Sequence, residues 1–118
     1  MKFMFMIYHD ENELQALPER EMQTLVDSAL DYDDEIRRSG HYIVSDALQP
    51  ARTARTIRVR AGKVSTTDGP FAETKEQLGG FYMIEAKDVN DAIQVAGKIP
   101  SAKTGTIEVR PVMVFDRA

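Results

Sequence analysis

The sequence predicts an α+β fold in which one antiparallel sheet carries two helices on a single face. Apolar residues switch along the chain between a period of two and a helical period, and Gly, Pro or Asp residues separate the segments. With 118 residues, 42% of them hydrophobic, the chain is sized for one core and a single domain over 1–118.

Residues 2 to 9 read as the first strand. Phe3, Phe5 and Ile7 make one parity, Met4, Met6 and Tyr8 the other, so both faces are apolar and both need cover. A long helix opens near Pro18, whose missing donor costs nothing in a first turn, and closes at Gly40, which suits a left-handed cap. Its stripe is Met22, Leu25, Val26, Ala29 and Ile36, while Asp27, Asp31, Asp34 and Glu35 form a solvated face. Residues 41 to 48 make the second strand. Residues 55 to 60 and 63 to 67 form a hairpin around Ala61-Gly62-Lys63, with Ile57 and Val59 on one face and Arg58 and Arg60 on the other. Leu78 to Ala86 is a further strand, and Asp88 caps a second helix with the stripe Val89, Ala92, Ile93 and Ala96. Gly105 to Phe115 reads as the last strand, apolar on both parities through Ile107, Val109 and Met113 and through Val112 and Val114. This order is that of a ferredoxin-like sheet. Its helices protect one side only, so a second copy is expected to cover the other, as a homodimer.

Composition narrows the function. There are no cysteines, which rules out disulfides and thiolate chemistry. A net charge of −4 argues against nucleic acid, since only Arg52, Arg55, Arg58 and Arg60 approach a positive cluster. The apolar N-terminal run is cut off by His9-Asp10-Glu11, too early for a secretory segment, and no stretch has membrane-spanning length, so a cytoplasmic location is expected. Neither a metal nor a cofactor is expected: no His-x-x-x-His, His-Glu-x-x-His or phosphate-loop pattern occurs, and Gly79-Gly80 reads as close backbone packing.

The densest information lies in residues 67 to 82. Asp68-Gly69-Pro70 forces a reversal, and Gly79-Gly80-Phe81-Tyr82 resumes a strand. Asp68 suits a general base or a turn acceptor of backbone amides; Asp46 at the end of the second strand suits a carboxylate facing the same pocket as Tyr8 and Tyr82. His9 is a candidate proton carrier, although Asp10 beside it points to the opposite face. His41 follows a helix end and suits the C-terminal dipole. The expected catalytic set is therefore Asp46, Asp68 and His9. The expected ligand contacts are Tyr8, Arg58, Phe71, Glu73, Lys75 and Tyr82, with Arg58 suited to a ligand carboxylate.

Asp68-Gly69-Pro70-Phe71, Tyr8, Ala47-Leu48-Gln49-Pro50 and Val109-Arg110-Pro111-Val112 together resemble the YCII-related family, specifically its DGPF branch, over nearly the whole chain. The resemblance implies a dimeric α+β barrel whose two sheets face each other. In the broader family a histidine on the first helix and an aspartate are proposed as an active-site pair, and this chain has no histidine on that helix. The resemblance also implies that relatives of the branch are often encoded beside alternative sigma factors. The expected function is small-molecule binding, with cofactor-independent proton transfer, isomerisation or elimination on a small organic molecule as the chemistry it could carry. A non-catalytic ligand-sensing or regulatory dimer module and a purely structural or interaction domain are the alternatives.

Overall fold

The computed structural model describes residues 1–116. Strand β1 (Lys2–His9) leads through a short helix α1 (Glu11–Gln15) into the long helix α2 (Glu19–Arg38) and then β2 (Tyr42–Ala47). After a 3-10 turn at Ala51–Thr53 come β3 (Arg55–Arg60), β4 (Lys63–Asp68), β5 (Gln77–Glu85), helix α3 (Val89–Ala96), a 3-10 turn at Pro100–Lys103 and β6 (Thr106–Pro111). Four strands pair in the order β2-β5-β1-β6, every neighbour antiparallel, while β3 and β4 form a two-stranded sheet of their own. The chain is thus mixed α+β with antiparallel sheets and three helices.

The two parities of β1 meet different fates. Phe3 and Phe5, opposite Ile84 and Tyr82 of β5, are buried against Tyr32 and Ile36 of α2, Ala92, Val95 and Ala96 of α3, and Ile99. Both longer helices therefore cover one face. The Tyr32 hydroxyl donates to the Val95 carbonyl at 2.8 Å, fastening α2 to α3, and its ring meets Tyr82 edge-on at 5.5 Å. On the opposite face stand Met4, Met6 and Tyr8, beside Phe81, Met83 and Val44. Among the described residues neither longer helix covers this face, and the molecule measures only 18 Å along its thinnest axis, one helix layer on one sheet layer.

The last strand differs from expectation. It stops at Pro111, opposite Phe3, with the Val112 amide still donating to the Lys2 carbonyl at 2.9 Å, and its second parity is Glu108 and Arg110, joined at 2.7 Å opposite Met6 and Met4. Met113, Val114 and Phe115 lie beyond the sheet, exposed at 72%, 87% and 72%. Helix α1 has no apolar stripe to announce it and is held by Asp10, which accepts from the Asn12 and Glu13 amides at 2.9 and 3.3 Å. At the β3–β4 turn Ala61 and Gly62 both have positive φ, the backbone a tight hairpin twist requires. Among the described residues no helix is long and apolar enough to cross a membrane.

Candidate functional site

Tyr8 and His9 end β1 on opposite faces of the sheet, and each borders a different cavity. The first lies on the face without helices and has a volume of about 650 Å³. Its walls come from Tyr8, Leu48 to Ala51, Thr53 to Thr56, Pro70 to Ala72, and Leu78. Three of the segments singled out in the sequence, Tyr8, Leu48-Gln49-Pro50 and Pro70-Phe71, thus converge on one hollow.

Local bonding explains how. The Gly69 amide donates to the Ala54 carbonyl at 2.8 Å and the Thr56 hydroxyl to the Gly69 carbonyl at 2.9 Å, so the reversal is stitched to the start of β3. Gly69 has φ +99°, a conformation that side chains other than glycine's resist. Arg55 reaches Asp68 at 3.1 Å and also donates to the Thr53 and Ala54 carbonyls at 3.2 and 3.0 Å. Asp68 was expected to accept backbone amides or act as a base. Its carboxylate instead pairs with Arg55 across the ladder and is 87% exposed, because it ends β4 and not the turn itself. Glu11 accepts from the Ala51 amide at 3.1 and 2.9 Å, tying α1 to the cavity wall. Phe71 is 77% exposed, and the Arg58 guanidinium stands 5.3 Å from its ring centroid. Glu73 and Lys75 are exposed and lie outside the wall, on a loop held by the Gln77 side-chain amide donating to the Thr74 carbonyl at 2.7 Å.

The second cavity, about 450 Å³, lies under the N-terminal half of α2 on the helix-covered face. Met22, Leu25, Val26 and Ala29 wall one side, and Ile7, Ser45, Gly79, Gly80 and Tyr82 the other. Gly79 leaves room for His9: a Cβ there would run into the imidazole, which therefore lies over the bulge where β1 slips register between Ile7 and Tyr8. Neither ring nitrogen has a hydrogen-bond partner among the described residues. Across the cavity the Tyr82 hydroxyl donates a hydrogen bond to the Asp33 carboxylate of α2. Burial first, and then this bond to a carboxylate, pushes the Tyr82 phenol well above its ordinary range. It stays a protonated donor at every physiological pH.

The expected residues consequently divide. Tyr8 and Phe71 share the open-face cavity, with Arg58 behind Phe71. His9 and Tyr82 share the helix-face cavity. Asp46 sits at its rim, exposed and opposite Phe81, so its strand parity follows the open face. Tyr8 and Tyr82 do not meet, since the pairing puts Tyr82 opposite the buried Phe5. Sequence reasoning missed Asp33 and Arg55. Asp33 falls four residues after Ala29 and three before Ile36, on the apolar stripe of α2, and that spacing was the available signal. Among the described residues no group of three His, Cys, Asp or Glu side chains is placed to hold a metal.

The family description that matches residues 1–116 is that of the YCII-related domain. An "Uncharacterized protein R00369" of Rhizobium meliloti (strain 1021) is 32% identical over 117 residues, covering 98% of this chain and 94% of that protein. Its printed name assigns no activity. The match over nearly the full length shows that the chain belongs to the YCII-related domain family.

Proposed function

We propose that this YCII-related domain binds a small organic molecule in the open-face cavity, as a cytoplasmic homodimer of its DGPF branch. The carrying observation is the convergence of Tyr8, Leu48-Gln49-Pro50 and Pro70-Phe71 on one hollow of about 650 Å³, a size typical of small-molecule sites. Apolar walls from Leu48, Pro50, Pro70, Phe71 and Leu78 suit a ligand with a flat hydrocarbon body, and the Tyr8 hydroxyl, without a partner among the described residues, is the polar group that orients it. Arg55 organises the wall. The strand order supports a ferredoxin-like arrangement, and the uncovered face, apolar at Met4, Met6, Phe81 and Met83 with Glu108 and Arg110 beside them, supports pairing of two sheets face to face.

A metabolite thermal-shift screen tests the reading. A ligand should raise the melting temperature of the wild type, and Phe71→Ala, on an exposed ring, should lose that rise while its ligand-free melting temperature stays within a few degrees. No hit across a broad screen, or a hit that protects Phe71→Ala equally, overturns it.

A catalytic reading has its own observation. The unpartnered His9 imidazole faces the apolar helix-side cavity with the Tyr82–Asp33 pair across it, which suits proton transfer on a molecule held there. Asp46 and Asp68 take no part in that version. A ligand whose protection is lost in His9→Gln but kept in Phe71→Ala would favour it.

A further inference from the structure

We infer that the open-face cavity is completed by a second copy of this chain, whose C-terminal Met113-Val114-Phe115 lies across Tyr8, Leu48, Phe71 and Leu78. The inference rests on the small-molecule reading of that cavity and adds the group that closes it. Three consecutive large apolar side chains, each at least 72% exposed, follow the end of the sheet at Pro111. Apolar runs of this kind mark an interaction surface. The cavity shows the matching defect, with Phe71 at 77% exposure and Leu48 and Leu78 also exposed on its wall.

Direction decides which copy supplies the cover. Strand β6 runs antiparallel to β1, from Thr106 opposite Tyr8 to Pro111 opposite Phe3, and the Val112 amide still donates to the Lys2 carbonyl at 2.9 Å. The tail therefore departs at the Lys2 end of the sheet. Its own cavity lies at the Tyr8 end, five residues or about 17 Å back along β1, and β6 runs away from it. When two such sheets face each other about a two-fold axis perpendicular to the strands, the Lys2 end of one lies over the Tyr8 end of the other. Each tail then reaches its partner's cavity, and the contact is made twice by symmetry.

The absence of cysteine makes the test clean. Val114→Cys and Leu78→Cys are each exposed, single-thiol variants of the full chain. Isotope-labelled Val114→Cys is mixed with unlabelled Leu78→Cys, allowed to exchange, and treated with a short bismaleimide; peptide mass spectrometry then reads a 114–78 linkage between labelled and unlabelled chains. The expected result is a yield at least tenfold above that from Val114→Cys mixed with Val89→Cys, whose thiol lies at the exposed start of α3. Equal yields, or a wild type that sediments as a monomer at micromolar concentration, overturn the inference. Ligand protection without the linkage would overturn the cap and leave the cavity reading standing, whereas the linkage without any ligand would support the cap alone.

Discussion

Replacing Gly105 by alanine should be among the most damaging single-methyl additions in this chain. A Cβ on Gly105 would collide with the Tyr8 carbonyl oxygen and would lie 3.2 Å from the Ser101 carbonyl oxygen. The first contact falls well inside the roughly 3.3–3.6 Å at which carbon meets a carbonyl oxygen in sheets. Both obstacles are backbone, one in β1 and one in the turn before β6, so neither yields by a rotamer change. Relief requires prising apart the Tyr8 end of the β1–β6 ladder. The cost belongs at the upper end of the overpacking range, about 3 kcal/mol. With a urea m-value of about 1.5–2 kcal/mol per molar for a domain of this size, the midpoint should fall by roughly 1.5–2 M. Gly80→Ala is the internal comparison, because its Cβ would meet the Asp46 carbonyl oxygen at 3.1 Å and the Ala47 Cα at 3.5 Å, which needs only a few tenths of an ångström of give. Urea unfolding followed by far-UV circular dichroism measures both. A Gly105→Ala midpoint within 0.3 M of the wild type, or one above that of Gly80→Ala, would refute the reasoning.

Gly80→Val should lower the urea midpoint more than Glu73→Ala, because the branched side chain meets β2 backbone at ~1–3 kcal/mol while Glu73 lies exposed; equal losses would contradict the packing read at Gly80. Tyr82→Phe should cost about 1.5–3 kcal/mol, the usual worth of a hydrogen bond to a carboxylate, and the loss should shrink when Asp33→Asn is already present, a coupling that a double-mutant cycle reads directly. The Lys87 backbone amide first, and the His41 imidazole with it, hold the Asp91 carboxyl below its ordinary range. A lowered carboxylate contributes stability above its unfolded value near 3.9 and loses it as the pH falls through the lower folded value. Melting temperature should therefore decline on acidification from pH 5 to 2, with a shallower decline in Asp91→Asn; parallel curves would show that the contact carries no linkage.

The parity of β1 was legible because alternation with a period of two has one reading once a strand is granted, and Phe3 and Phe5 fell on the buried side as a set. The cap at Asp88 was equally local, whereas the stripe of α2 was legible only in part: Ile36 is buried, Val26 is exposed, and Tyr32, outside the expected set, joins the core. The cavities were not, since each requires the register between strands. The pairing of Phe5 with Tyr82 sends the two tyrosines to opposite faces, and that pairing is not written in the residues near Tyr8. The last strand was overread because Val112, Met113 and Val114 favour strands by composition, whereas the ladder ends at Pro111. Asp68 was misplaced by one structural step: the reversal begins at Gly69, leaving Asp68 as the final rung of β4 against Arg55.

The β3–β4 hairpin stands apart from the main sheet, with Ile57, Val59 and Val64 exposed along one side. Two strands alone are marginal in water, so the ladder from Arg55↔Asp68 to Arg60↔Lys63 has little cooperative protection of its own in a single chain. Its amides should exchange with deuterium orders of magnitude faster than those of β1 in an isolated copy. Any partner that shelters the three apolar side chains would slow them selectively, which makes amide exchange at the hairpin a local gauge of assembly, independent of the molecule's hydrodynamic size.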